Sequence, residues 1–319
     1  MATDIGDSIY HNEDKARERL EAVRWPNGPV CPHCGSVNNA TQLRGKSTRP
    51  GVYKCRDCAK PFSATVGTLF ERSHIPLHKW LLAVHLLSSS KKGMAAHQLH
   101  RMLGVTYKTA WFMAHRIREA MREPSFPGPL GTGGGTVEAD ETYVGGKKKN
   151  RHKEERAKPD QPPKAIVLSL VERDGSVRSF HVATVNSKTL RPILREQISQ
   201  SARLNTDEGG SYRGAKKDFE AHETVNHLRE EYVRGQVHTN TVEGYFSILK
   251  RGIYGVYHHV SPEHLERYLS EFDFRYSHRK IDDTTRAQKA LKGIDGKRLT
   301  YRRPTKKGAS EGKEEALTK

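Results

Sequence analysis

Apolar and polar positions along the chain follow two different periods, and the change from one to the other divides it. From residue 77 onward apolar residues recur every three or four positions. Leu77, Trp80, Leu81, Val84 and Leu87 line one face of a predicted helix, with Pro76 suited to its first turn. The stretch 88–92 breaks the pattern. Ala95, Ala96, Leu99, Met102 and Leu103 then predict a second helix that stops at Gly104-Val105. Thr106 can cap a third, carrying Tyr107, Lys108, Trp111, His115, Arg116 and Arg118, with its basic and aromatic side chains exposed. Upstream, residues 12–25 read as a short amphipathic helix.

Residues 124–135, PSFPGPLGTGGG, neither continue a helix nor pair as a strand, and predict a flexible linker. Beyond it the period becomes two. Residues 136–144 form a first strand, and 164–172 and 177–185 flank the turn dipeptide Asp174-Gly175 as a hairpin. Leu190, Ile193, Leu194, Gln197 and Ile198 give 188–201 a helical pattern, 203–206 leads as a short strand into Asp207, and 241–251 is helical with Val242, Phe246 and Leu249 on one side. Three strands, a helix, a strand and a later helix predict an RNase H-like α/β domain.

Charge changes this picture. The 319 residues carry 55 Lys and Arg against 37 Asp and Glu, a net charge of +18, which attracts polyanions. No run of eighteen apolar residues is present, so no membrane partner is expected. The first twenty residues lack a basic and an apolar signal region, and a cytoplasmic, nucleoid-associated protein is expected. In this setting the second and third helices outline a helix-turn-helix, with Tyr107, Lys108 and Arg116 as candidate DNA contacts. Ordinary bundle helices with Trp111, Phe112 and Met113 as core are the alternative.

All four cysteines fall into two pairs, Cys31-Pro32-His33-Cys34 and Cys55-Arg56-Asp57-Cys58, with twenty residues between them. Two such knuckles close a tetrahedral shell as a zinc ribbon, and four thiolates leave no open position, so the single zinc is structural. Two disulfides would need an export signal, and a thioredoxin-like pair a βαβ context. His33 is placed outside the ligand set. Lys54, Arg56 and Lys60 make the second knuckle basic, which suits phosphate contact and a solvated face equally.

Acidic residues supply the candidate chemistry. Asp140 lies in VEADETYVGG, Asp207 ends ARLNTD, and Glu243 sits in HTNTVEGYFSILKRG, seven residues before Lys250. In a strand Glu138 and Asp140 share a face and Glu141 takes the other; of the first two, Asp140 is nearer the strand centre. Asp207 stands at a strand end beside Glu208-Gly209-Gly210, where glycines let a substrate come close. Glu243 and Lys250 are two turns apart on one helical face, so the carboxylate can ligate metal while Lys250, with Arg251, holds a phosphate. Asn240, one turn earlier, is a rival third ligand. Two strand carboxylates and one helix carboxylate can hold two Mg²⁺ or Mn²⁺ ions about 4 Å apart, the arrangement used on phosphodiesters.

The segments VEADETYVGGKKK, LNTDEGGSY and VHTNTVEGYFSILKRGIYGVYHHVSPEHLERYLSEFDFRYSHR resemble the DDE domain of bacterial insertion-sequence transposases, insertion-sequence family 1595 (ISXO-like). The cysteine pairs and the helices after them resemble that family's N-terminal region, so the likeness spans about 18–279. It implies a multi-domain protein with an N-terminal helix and zinc ribbon (1–65), a helix-turn-helix segment (66–123) and an RNase H-like DDE catalytic domain (136–280), to which composition adds the linker (124–135) and a basic, disordered tail (281–319). By resemblance, Asp140, Asp207 and Glu243 form the metal triad, with Lys250 the lysine that commonly follows it. Some relatives carry Asn or His at the third position. A C-terminal helix would present Arg275, His278 and Arg279 near the site. The implied reaction is Mg²⁺-dependent cleavage and strand transfer on double-stranded DNA, without a nucleotide cofactor, by a homodimer or larger assembly holding two transposon ends. The insert 147–163 reads as a mobile basic loop touching phosphates. A relaxase or tyrosine recombinase built on Tyr254, Tyr257, His258 and His259 is disfavoured, because adjacent histidines on a strand point to opposite faces. A non-catalytic DNA-binding regulator derived from a transposase is the more serious rival.

Overall fold

The computed structural model describes residues 5–122, 128–145, 164–225 and 233–300. Asn12 accepts hydrogen bonds from the Asp14 and Lys15 N–H groups and starts α1 (Glu13–Arg24), which buries Ala16 and Leu20. Strands β1 (Ala40–Gln42), β2 (Tyr53–Cys55) and β3 (Pro61–Phe62) form a small antiparallel sheet in that order. It is too small for a core of its own. Tyr53 and Phe62 instead meet Trp25, at the end of α1, edge to face.

The helical stretch folds as α2 (Leu77–Ser89), α3 (Ala96–Leu103) and α4 (Tyr107–Met121). Gly104 ends α3 with φ of 60°, a conformation that favours glycine, and the Thr106 side chain accepts from the Thr109 N–H to start α4. One expectation fails here. His115 and Arg118 are 1% and 2% exposed, so this part of α4 is buried and only its start presents Tyr107 and Lys108 outward. Helical spacing alone could not say which face would be covered, because the covering helix lies far along the chain.

The larger sheet contains β4 (Thr136–Val144), β5 (Ala165–Glu172), β6 (Val177–Val182), β7 (Arg203–Asp207) and β8 (Ala221–Val225), in the order β6-β5-β4-β7-β8. β5 runs antiparallel to both neighbours, while β4, β7 and β8 are parallel. A short ladder, β9 (Val233–Arg234) and β10 (Val237–His238), follows. One face, carrying Val137, Ala139, Leu168 and Leu204, packs with Leu190 and Leu194 of α5 (Ser187–Gln197). The opposite face, with Val144, Val167 and Val171, packs with α6 (Asn240–Gly252) and α7 (Pro262–Ser277). Edge strand β6 is covered: Val177 N–H donates to Ser277 Oγ at 3.1 Å and Ser179 N–H to Asp273 at 2.8 Å.

Two further expectations are corrected. Leu130, within the predicted linker, is buried and does pair, its N–H reaching Gln197 O and its carbonyl accepting from Ser199. The backbone pairing of one apolar residue is invisible to composition. The predicted disordered tail begins instead with α8 (Asp283–Lys292), whose Ala287, Ala290 and Leu291, together with Ile294, join the core formed by α1, α2 and α4. Asp295 pairs with Arg24 at 2.7 Å and Ile294 O accepts from Leu69 N–H. A few apolar residues at helical spacing bury one face even where charged neighbours dominate the composition. Residues 124–127 of the linker with residue 123 before them, the predicted basic loop 147–163 and positions 301–319 lie outside the described residues.

Candidate active site

Parallel pairing of β4 with β7 sets Glu138 opposite Asn205. Continued two residues further, the same register brings Asp140 level with Asp207 on the face that α6 covers. The first turn of α6 carries Glu243. Burial, above all, raises the Asp140 carboxyl to about 7, and the negative charges of Asp207, Glu141 and Glu243 add to it. Asp140 Oδ1 accepts from the Glu141 N–H at 2.7 Å, Asp207 Oδ1 from Gly209 N–H at 3.0 Å, and Glu243 Oε1 from Thr239 Oγ1 at 3.2 Å. A Cβ at position 209 would lie 2.8 Å from that same Asp207 oxygen, so the turn depends on glycine.

Among the described residues, Asp140 and Asp207 form no ion pair with Lys, Arg or His. Two neighbouring strand carboxylates, one keeping its proton towards neutrality, suit hard divalent cations. Their oxygens are spread more widely than a cage for one ion. Among the described residues, only the four cysteines bring three or more such ligand atoms within 4.8 Å of one another.

Glu138, the other residue on this face, is wholly buried and committed elsewhere. Arg173 Nε donates to it at 2.7 Å, and Thr241 N–H, Thr241 Oγ1 and Val242 N–H at 2.8, 2.8 and 3.1 Å. It thus caps α6 from β4 and ties the turn bearing Glu243 to the strand bearing Asp140. Sequence reading missed this role, and also Tyr212, whose hydroxyl donates to Glu141 at 2.5 Å from the opposite face of the sheet. Periodicity identifies the face of Glu138 but carries no signal for its partners.

Asn240, the rival ligand, is exposed at the first position of α6. Lys250 is half-buried two turns beyond Glu243, and Arg251 is exposed, bonded to Ser247 Oγ at 2.9 Å. Tyr107 is 45% exposed and stacks on His97 at 4.3 Å, with Lys108 exposed beside it. Arg116 is turned inward, 4.8 Å over the Phe112 ring with its Nε on Leu299 O at 3.1 Å. The predicted trio behind the site is also engaged elsewhere. Arg275 is buried against Glu271 and Leu87 O, Arg279 lies 4.2 Å over Tyr276 and donates to Gly175 O, and His278 Nδ1 is 2.9 Å from Phe274 O.

In the ribbon, Cys31 and Cys58 Sγ are 3.6 Å apart, as are those of Cys34 and Cys55. The edge of a zinc tetrahedron with Zn–S near 2.3 Å is about 3.8 Å, so the four cysteines fit a structural zinc. The Cys58 backbone N–H, followed by that of Asp57, draws the Cys55 thiol down, while burial and the neighbouring sulfurs push that of Cys34 up, so without metal the thiols share their protons unevenly. Asp57 also accepts from Ser36 Oγ at 2.5 Å and Asn39 Nδ2 at 2.8 Å, joining the knuckles. His33 is exposed, its Nε2 3.4 Å from Pro61 O, outside the ligand set.

Comparison with known proteins identifies two domains of the chain. Residues 133–277 match the ISXO2-like transposase domain, and residues 11–61 the transposase zinc-ribbon domain. An uncharacterized protein in transposable element ISH50 of Halobacterium salinarum is 30% identical over 287 residues, covering 83% of this chain and 91% of that protein. With a ribbon and a mixed α/β domain each matching its counterpart, the chain belongs to the ISXO2-like transposases of insertion-sequence family 1595.

Proposed function

We propose that this protein is a DNA transposase that cleaves and joins DNA at a divalent-metal site formed by Asp140, Asp207 and Glu243. The observation that carries the reading is that Asp140 of β4 is buried with Asp207 of β7 and Glu243 of α6 close enough for both charges to add to the effect of burial on its proton. Mg²⁺ or Mn²⁺ bound there would polarise the scissile phosphodiester and assist both the attacking and the leaving oxygen. Within the chain, Glu138 holds α6 in place, Gly209 N–H orients Asp207, and Lys250 offers an ammonium to a phosphate. The strand order β6-β5-β4-β7-β8, with β5 alone reversed, supports an RNase H-like fold for residues 136–280.

The ribbon and the α3–α4 unit are the proposed readers of the element's ends. The glycine-terminated turn and the exposed Tyr107 and Lys108 at the start of α4 support a helix-turn-helix. A net charge of +18 supplies phosphate attraction, and two ends held together call for two copies of the chain.

The test is cleavage and strand transfer on DNA carrying the ends that flank the gene, with the native chain and Asp207→Ala. Mg²⁺-dependent 3′-hydroxyl ends and joined products from the native protein only are expected. If both proteins bind the ends equally and neither cuts, the proposal fails and a non-catalytic regulator is the better description.

A further inference from the structure

Two stretches of the chain lack acidic residues altogether. Residues 72–118 carry eight Lys and Arg and no Asp or Glu, and residues 244–262, which follow Glu243 through the end of α6, have no Asp or Glu either. The fold brings the two together. A Cβ at Gly252, the last residue of α6, would lie 2.7 Å from the Lys92 carbonyl oxygen, and one at Gly93 would overlap the Tyr257 hydroxyl. The loop between α2 and α3 is therefore seated on the end of α6, which sets the exposed Lys91 and Lys92 beside the exposed Arg251. Along α6, Glu243, Ser247 and Lys250 recur at helical spacing, and the π-helical turn Ile253–Tyr257 continues that stripe with Tyr254. The Tyr254 hydroxyl accepts from Gly145 N–H and donates to Gly145 O, both at 3.3 Å, just beyond the end of β4. Its ring is held in place and still 43% exposed. At the rise of a helix it stands about 16 Å from Glu243.

We propose that this surface is a track for one DNA strand, on which Tyr254 stacks an unpaired base close to the reacting phosphate and Lys91 and Lys92 hold phosphates on the way to the α3–α4 unit. The proposal rests on the proposed function for where the reaction takes place, and adds the residues that seat the strand there. Cations that follow a backbone, with an aromatic ring for the bases, are the combination that suits a single strand. Two acid-free stretches meeting on one surface present nothing that repels its phosphates. Bases within a duplex are stacked on one another, so a ring that stacks on one requires an end whose pairing has opened.

The full, zinc-loaded chain is titrated, without added Mg²⁺, with two duplexes carrying the ends that flank the gene, one fully paired and one with the terminal nucleotides mismatched. The native chain is expected to bind the mismatched duplex about fivefold more tightly or better; Tyr254→Ala should lose that preference and Tyr254→Phe keep it, because phenylalanine retains the ring and gives up only the bonds to Gly145. Equal affinity of the native chain for both duplexes overturns the proposal. So does a Phe variant as poor as the Ala variant, which assigns Tyr254 a structural role through its hydroxyl. Lys91→Gln/Lys92→Gln should weaken binding to both duplexes and lower the slope of log affinity against log salt by about one or more. The charge-matched Lys289→Gln/Lys292→Gln on α8 should keep the native slope; equal slopes in the two double variants would overturn the phosphate contacts. Binding is read without cleavage. A chain that cuts but shows no preference refutes the track alone, and a chain that shows the preference but never cuts refutes the proposed reaction alone.

Discussion

Asp140 lies on a sheet face with Asp207 beside it and Glu243 above it, and its proton reports the whole arrangement. In the native metal-free chain burial, with those neighbours, raises its carboxyl from 3.8 to about 7. Between those values the native state keeps a proton that the unfolded state has lost, so stability falls as pH rises from about 4 to 7 and levels off above. Asp140→Asn is therefore expected to raise the melting temperature of metal-free protein at pH 8, an effect worth up to ~4 kcal/mol, and to change little at pH 3. Melting curves at the two pH values check it; a destabilised variant at pH 8 would mean that the carboxylate is compensated within the chain. Mg²⁺ should stabilise the native protein at pH 8 far more than the variant.

Elements differ in what keeps them folded. Strands β1–β3 span two or three residues each and have one aromatic layer beneath them, whereas the larger sheet is packed on both faces. Metal binding thus carries most of the ribbon's folding free energy. Stripping zinc with a strong chelator is expected to make all four thiols react quickly with a thiol reagent while amides of β4, β5 and β7 keep their hydrogen-exchange protection. Equal loss of protection in the sheet would show that the ribbon and the sheet unfold as one unit. Helix α6 depends instead on one buried carboxylate, since Glu138 satisfies N–H groups that its first turn would otherwise leave unpaired.

Over the whole molecule, the chain closes on itself through its C-terminal helices. α7 covers the sheet while its Glu271 reaches Arg118 of α4, and α8 completes the core begun by α1 and α2. Truncation after Asp282 removes Ala287, Ala290, Leu291 and Ile294 from that core, at a cost of about 5 kcal/mol or more in apolar burial. Truncation after residue 300 removes none of these contacts. Thermal denaturation should show the shorter chain strongly destabilised or aggregated and the longer one native-like; equal stability would show that α8 contributes nothing to the core.

Helices α1 to α6, strands β4 to β7 and the zinc knuckles were legible because each is a local matter: apolar spacing, capping residues and a CxxC turn act within a few residues. Asp140, Asp207 and Glu243 were legible as candidates for the same reason, by strand phase, a glycine-flanked strand end and helical spacing. What each buried polar side chain meets was not. Glu138 and Asp140 are equivalent by periodicity and differ because α6 delivers its N–H groups to one and leaves the other beside Asp207. Arg116 and Arg118 read as surface charges until α7 and residues 283–299 cover them. The apolar residues of α8 were too dilute to stand out from a charged tail. The sequence by itself determined the local elements, the cysteine ligand set and the net charge. Only the tertiary structure decided which charges are buried together, because that depends on partners 100 or more residues apart, whose pairing leaves no periodic trace.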